Sequence, residues 1–85
     1  MARYRVIVRT SVSKDLKDIP QKDVRRILAA IESLGDDPRP PGTKKLSGQE
    51  RYRLRQGNYR ILYSIEDDKL IICVVKVRHR RDVYR

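Results

Sequence analysis

The chain has almost none of the residues that cross-link small proteins. Its 85 residues include one cysteine and one histidine. A single cysteine permits no internal disulfide, and one cysteine with one histidine cannot form a structural zinc site. We therefore expect a cytoplasmic protein that holds no metal and uses no cofactor.

Long hydrophobic runs are also missing. No apolar stretch approaches the roughly 20 residues needed to span a bilayer, and the N-terminal segment MARYRVIVRT alternates in the manner of a strand. Neither a signal peptide nor a membrane anchor is expected. The sequence also has no repeat, no low-complexity segment and no Gly-rich phosphate loop, so residues 1–85 are expected to form one small domain.

Positive charge, in contrast, is abundant. The 21 Lys and Arg residues outnumber the 11 Asp and Glu residues, which gives a net charge of +10. Residues 51–85 hold ten of the basic side chains and four of the acidic ones. This concentration favours nucleic acid or an acidic protein as the partner. The alternative is an ordinary solvated surface.

The order of hydrophobic patterns predicts an α+β fold. A strand near residues 4–8 precedes a short helix, for which Ser11 or Ser13 is a plausible N-cap and which ends near Pro20. A second helix extends to Gly35, which is expected in the C′ position. The two helices form an antiparallel hairpin, and a curved, mainly antiparallel sheet of three further strands follows. The core stripe of the second helix is predicted to be Val24, Ile27, Leu28, Ile31 and Leu34.

The segment RYRLRQGNYR at 51–60 predicts a β-hairpin with one basic face. If Gly57 and Asn58 form its two-residue turn, Arg55 lies opposite Arg60 and alternate residues share a face. Because like charges opposite each other destabilise a sheet, this pair indicates a bound polyanion. The arginine side of the hairpin carries Arg51, Arg53, Arg55 and Arg60, and the core side carries Tyr52, Leu54, Ile61 and Tyr63.

Apolar and aromatic side chains in the second half of the chain are expected to build the core. The segment KLIICVVKV at 69–77 predicts a central strand, in which Cys73 is an inert core thiol. Tyr52, Tyr59 and Tyr63 are expected to pack in the core, with stacking on nucleic-acid bases as the alternative.

The order of these elements and two segments resemble the RelE branch of the RelE/ParE toxin superfamily. The segments are LSGQERYRLRQGNYRILYSI at 46–65 and the ending VRHRRDVYR at 77–85. The resemblance extends from Arg3 to Arg85. It implies a RelE-like fold and a toxin of a type II toxin-antitoxin system.

The resemblance also implies an activity and a set of partners. Members of the RelE branch enter the ribosomal A site and cut the mRNA under translation, and a cognate antitoxin holds each of them inactive. We therefore expect a metal-independent, ribosome-dependent endoribonuclease, with the ribosome, mRNA and a RelB-like antitoxin as partners and a hetero-oligomeric toxin-antitoxin complex. The alternatives are a ParE-like toxin that inhibits gyrase without cutting nucleic acid, and a non-catalytic small basic RNA-binding protein. Arg60 and the HRRDVY ending argue against the ParE alternative.

RNA cleavage by the 2′-hydroxyl without a metal needs three kinds of group. These are a base, an acid for the leaving 5′-oxygen, and cations that stabilise the phosphorane. Arginine suits the last role, but its pKa above about 12 makes it a poor proton carrier. His79 suits proton transfer near neutral pH, with a surface or antitoxin-contacting histidine as the alternative. Tyr84 matches the near-terminal tyrosine of the family, which orients the 2′-hydroxyl or stacks on a base. The assignment of base and acid stays open.

The resemblance assigns the arginines of the site. Arg60 matches the family arginine that we expect to be the principal phosphate clamp, and Arg53 and Arg55 match positions that are often lysine in relatives. The tail arginine of the family corresponds to Arg78 or Arg80. The expected catalytic set is Arg53, Arg55, Arg60, His79, Arg80 and Tyr84. The expected RNA-binding set is Lys44, Lys45, Arg51, Arg78, Arg81 and Arg85.

Overall fold

The computed structural model describes residues 3–46 and 51–79. In these ranges two helices lie on one face of a five-stranded sheet, which confirms the predicted α+β class. No helix in the same ranges is long and apolar enough to cross a membrane. The elements in chain order are β1 (Arg5–Val8), α1 (Thr10–Leu16), α2 (Gln21–Ser33), β2 (Thr43–Lys45), β3 (Arg51–Gln56), β4 (Tyr59–Glu66) and β5 (Ile71–His79).

The strands are arranged in the order β1-β5-β4-β3-β2. β1 runs parallel to β5, and the other neighbouring pairs are antiparallel, as predicted. One more strand follows the helices than the sequence predicts, namely β2. Its sequence TKK shows no apolar alternation, because β2 is an edge strand whose Lys44 and Lys45 are exposed.

The β3–β4 hairpin has the predicted register. Arg55 lies opposite Arg60, and Arg53 lies opposite Leu62. Gly57, the first residue of the turn, has a φ of 58°, a left-handed conformation that glycine adopts without steric cost. The predicted core side is confirmed as well, since its four residues are all buried: Tyr52, Leu54, Ile61 and Tyr63.

The core lies between the helices and the sheet. Val12 of α1 and both Ile27 and Ile31 of α2 pack against the strands. Leu28, which the helical stripe places in the core, is instead 46% exposed, because it lies beside the outer edge of β1. The fully buried sheet residues are Ile61, Tyr63, Ile72 and Val74.

The predicted N-cap of α1 is wrong, whereas Gly35 does occupy the predicted C′ position, one residue after the C-cap Leu34 of α2. α1 begins at Thr10 with Arg9 in the N-cap position, and the Ser13 hydroxyl donates to the Thr10 carbonyl oxygen from inside the helix (2.7 Å). Gly35 does not adopt a left-handed conformation. A Cβ at Gly35 would lie 3.0 Å from the carbonyl oxygen of Tyr4, and the Tyr4 amide donates to the Gly35 carbonyl oxygen (2.8 Å). Glycine is therefore needed at position 35, because the backbone at Tyr4, which leads into β1, passes close to it.

Arg39 anchors the proline-rich loop between α2 and β2 to the sheet. Its guanidinium donates to both carboxylate oxygens of Asp67 (3.2 and 3.0 Å) and to the Tyr52 hydroxyl (3.2 Å). The Tyr4 hydroxyl donates to Asp67 as well (2.6 Å). The hydrogen bonds from Arg39 and then Tyr4 lower the pKa of the Asp67 carboxyl group, and the bond to Asp67 raises the pKa of Tyr4. Asp67 thus connects the loop, the start of the chain and the β4–β5 turn.

Candidate functional site

The open face of the sheet, on the side away from the helices, carries two neighbouring rows of cations. The rows run across the strands, because residues paired in a sheet share a face. The first row joins Arg55 of β3, Arg60 of β4 and Arg78 of β5. The second row, two residues along each strand, joins Lys44, Arg53, Leu62 and Lys76. We call the cations of these two rows the basic face: Lys44, Arg53, Arg55, Arg60, Lys76 and Arg78.

A β-bulge in β5 brings two of these cations to the basic face. One extra residue, Val75, shifts the pairing between β4 and β5. The shift inverts the alternation of β5, so that Lys76 and Arg78 lie on the basic face instead of the core side. Val74 and Val77 are accordingly both buried although they are three residues apart. Lys76 is not among the site residues predicted from the sequence, because the run of two valines before it does not show which residue is the extra one.

Arg60 is the most enclosed cation described on the basic face. It is 4% exposed, whereas Arg55 and Arg78 on either side of it are exposed. Burying a guanidinium is costly unless partners satisfy it. No buried side-chain polar atom in the described ranges lacks a hydrogen-bond partner. A fixed guanidinium between two exposed ones is an arrangement suited to binding a phosphate group.

The row brings three guanidinium groups close together on one face. Residues directly opposite each other in an antiparallel pair have Cβ atoms about 4.5 to 5.5 Å apart. Arg55 and Arg78 therefore start within roughly 10 Å of each other, with Arg60 between them. An anion bound over Arg60 would reduce the repulsion among these guanidinium groups. The sequence predicts the same repulsion between Arg55 and Arg60.

His79 lies away from the basic face. Its side chain lies on the helix side of β5, opposite Tyr59, and the two rings meet edge to face with centroids 5.1 Å apart. It lines a groove of about 490 Å³ together with Asp15 and Asp18 of α1. The predicted catalytic set therefore contains a histidine on the opposite face of β5 from Arg60, although Arg78 and Lys76 line the same groove. No three His, Cys, Asp or Glu side chains in the described ranges are grouped so as to hold a metal ion.

The other predicted residues divide between the two faces and the tail. Arg51 lies on the side of the basic face, opposite Ser64 and one row beyond Arg53, so the four predicted hairpin arginines do share a face. Lys45 lies opposite Tyr52 and hence on the other side. Four predicted residues lie outside the described ranges: Arg80, Arg81, Tyr84 and Arg85.

The strand tyrosines are packing residues, as predicted. The buried Tyr63 donates its hydroxyl to the carbonyl oxygen of Pro38 (2.8 Å), and burial raises the pKa of Tyr63. The Tyr59 hydroxyl donates to the carboxylate of Asp23 (3.3 Å). Cys73, in contrast, is not a core thiol, because it lies half-buried on the open face of the sheet.

Comparisons with known proteins identify the family. A sequence model of the family described as "ParE toxin of type II toxin-antitoxin system, parDE" matches residues 6–84. The chain belongs to the RelE/ParE toxin superfamily. Named relatives place it in the RelE branch. It is 32% identical to toxin RelE1 of Methanocaldococcus jannaschii, over 98% of this chain and 97% of the relative, and 34% identical to toxin RelG of Mycobacterium tuberculosis, over 96% and 97%.

Solved structures of the RelE branch have the same fold. A chain of the archaeal RelE–RelB complex from Pyrococcus horikoshii OT3 superposes with a TM-score of 0.82 at 32% identity, over 92% of this chain and 96% of that one. A chain of the RelBE2 toxin-antitoxin complex from Mycobacterium tuberculosis superposes with a TM-score of 0.70 at 30% identity, over 93% and 100%. The RelE-like fold that the resemblance implies is therefore confirmed.

Proposed function

We propose that this RelE-family toxin is a ribosome-dependent endoribonuclease that cleaves translated mRNA in the ribosomal A site. The observation that carries the proposal is the row of arginines in which Arg60 is buried between Arg55 and Arg78. A sheet that only needed solubility would expose its charges to water. Burial of the central guanidinium instead creates a preorganised site for negative charge.

The row provides electrostatic stabilisation during cleavage. Attack by the 2′-oxygen on phosphorus creates a phosphorane with more negative charge than the starting phosphate, and cations fixed in advance stabilise that charge most. Arg60 clamps the phosphate from the centre of the row, and Arg55 and Arg78 bind from either side. Arg53, diagonal to Arg60 in the second row, is the next cation within reach.

The position of Arg78 bears on which residue acts as the tail arginine of the family. The β5 bulge brings Arg78 directly opposite Arg60 on the basic face, and this pairing supports Arg78 for the role. Arg80 lies outside the described ranges, so its share of the role stays a prediction, as does the action of Tyr84 at the 2′-hydroxyl. His79 is not given a role in the chemistry, because it lies on the other face of β5.

A RelB-like antitoxin is the proposed regulator, and the hetero-oligomeric complex with it is the resting form. Two observations support this partner. Related toxins occur in RelE–RelB complexes, and the net charge of +10 favours an acidic or amphipathic binding segment. The basic face is the surface that such a segment must cover to block RNA.

Inhibition of gyrase is the second candidate function, because the family model that matches the chain is described as a ParE toxin. One pair of assays separates the two. The purified chain is incubated with a message on programmed ribosomes and with the same message free in solution, and in parallel with gyrase and relaxed plasmid. Cleavage that requires ribosomes supports the proposal. Loss of supercoiling with an intact message supports the ParE alternative, and no effect in either assay contradicts both.

A further inference from the structure

Within residues 3–46 and 51–79, the basic face carries no obvious proton donor for the leaving group. Cleavage needs an acid that protonates the departing 5′-oxygen, and guanidinium groups hold their protons too tightly for this step. His79 and the described strand tyrosines point to the helix side or are committed to structural hydrogen bonds. Among the six cations of the basic face, the two that are not guanidinium groups are Lys44 and Lys76.

Lys76 is the better placed of these two lysines. It lies on β5 two residues before Arg78 on the same face, and it is the diagonal neighbour of Arg60 across the β4–β5 pair. Diagonal neighbours have Cβ atoms within about 7 to 8 Å, which long side chains can bridge. Lys44 lies on the edge strand β2, with the whole of β3 between it and Arg60.

The β-bulge at Val75 places the Lys76 side chain on the basic face. Without the extra Val75, the alternation of β5 would direct Lys76 toward the core, where an ammonium group is not tolerated. Bulges commonly re-aim side chains beside active sites. Here one bulge places Arg78 in the arginine row and Lys76 in the second row beside it.

No carboxylate in the part of the chain that the structure describes forms an ion pair with Lys76. On its own face it has Leu62 directly opposite, Arg60 diagonally, and Arg78 two residues on. From the helix layer, Lys14, Asp15 and Asp18 of α1 line a groove at the edge of β5 that Lys76 also lines. Asp15 is already engaged, since it accepts a hydrogen bond from the Val77 amide (3.1 Å).

We propose that Lys76 is the general acid of the reaction, an inference that rests on the proposed function. The 2′-oxygen bonds to phosphorus and its proton passes to a general base, for which Tyr84 is one candidate. The bond between phosphorus and the 5′-oxygen breaks, and the Lys76 ammonium gives its proton to that oxygen. The products are a 2′,3′-cyclic phosphate and a 5′-hydroxyl end, and the neutral amine regains its proton from water.

A sulfur-substituted message tests the assignment. In one substrate the scissile 5′-oxygen is replaced by sulfur, whose thiol has a pKa of about 8.5, far below that of the alcohol it replaces. A thiolate therefore leaves without being protonated. Lys76→Arg keeps the positive charge and removes the readily released proton, and it should slow single-turnover cleavage of the ordinary message on ribosomes by about 10²-fold or more. Cleavage of the sulfur message should stay within a few fold of the parental rate.

Three controls define the outcome. Lys22→Arg makes the same change on α2 and should leave both rates unchanged. Arg60→Ala should slow both messages, because it acts on the phosphorane charge. Thermal unfolding checks each variant, and Lys76→Gln is the second variant if Lys76→Arg is poorly folded.

The cleavage rates distinguish a wrong assignment of Lys76 from a wrong proposed function. If Lys76→Arg and Lys76→Gln cut the ordinary message at the parental rate, or if sulfur does not restore their rates, Lys76 is not the acid, while the endoribonuclease itself stands. If the parental chain cuts neither message on ribosomes, the proposed function is wrong and the role of Lys76 is excluded with it.

Discussion

Replacement of Arg55 by glutamine should make the protein more stable while it weakens RNA binding. Arg55 is exposed and lies directly opposite the buried Arg60. Like charges in this position cost about 0.2 to 1 kcal/mol of the free energy of unfolding. Arg55→Gln keeps a polar side chain in the strand and removes one of the two charges, so it should recover about that amount.

The expected changes are large enough to measure. In a domain of this size about 1 kcal/mol shifts Tm by roughly 4 to 8 °C, so Arg55→Gln should raise Tm by roughly 1 to 8 °C at low salt. The gain should shrink at about 1 M salt, where the Debye length falls to about 3 Å. If Arg55 contacts one phosphate, the slope of log affinity for single-stranded RNA against log salt should become about 0.7 less steep.

Thermal unfolding followed by circular dichroism, at low salt and at about 1 M salt, provides the stability measurement. Arg25→Gln on α2 removes the same charge from the opposite side of the molecule. If Arg55→Gln lowers Tm, or gains no more than Arg25→Gln at low salt, the repulsion between Arg55 and Arg60 is not as argued. An unchanged salt slope would show that Arg55 contacts no phosphate.

The remaining predictions concern the Asp67 contacts, the close approach at Gly35 and the tail. The pKa of Asp67 is lower in the folded than in the unfolded state, so its contribution to stability is complete above the unfolded value of about 3.9 and is lost as the pH falls through the folded value. The Tm difference between the parental chain and Asp67→Asn should therefore disappear in acid. A Tm difference independent of pH would show that the ionised Asp67 carboxylate does not stabilise the fold. Gly35→Ala should cost about 1 to 3 kcal/mol in urea unfolding, since its Cβ would lie 3.0 Å from the Tyr4 carbonyl oxygen; an unchanged midpoint would show that the chain relaxes freely there. Tyr84→Phe should slow cleavage by about 10²-fold while ribosome affinity hardly changes, and a parental rate would exclude the phenol from the proton chemistry.

The sequence is most informative where a turn fixes the register. Gly57 and Asn58 define the hairpin, and the alternation on either side then determines which residues face the core. Both the pairing of Arg55 with Arg60 and the burial of the tyrosines follow from this local pattern. The order of the hydrophobic patterns predicts the other elements as well, with the exception of β2.

The sequence is least informative where tertiary contacts override local pattern. The run of valines before Lys76 is compatible with either alternation, so the bulge at Val75 and the faces of Lys76, Arg78 and His79 are decided by packing against β4. Gly35 resembles a helix-terminating glycine, but its role depends on Tyr4, which is distant in sequence. The strand β2 has no hydrophobic signal because both of its lysines are exposed.

The most direct test of the account is the single-turnover cleavage rate of a message on programmed ribosomes, compared between Arg60→Ala and Arg25→Ala. Both variants lose one positive charge, but only Arg60 lies at the centre of the basic face. Arg60→Ala should cleave at least about 10²-fold more slowly than the parental chain, and Arg25→Ala should cleave at the parental rate, with a cyclic phosphate at the cut end in each case. Equal rates for the two variants, with both folded, would contradict the claim that the arginine row is the catalytic site.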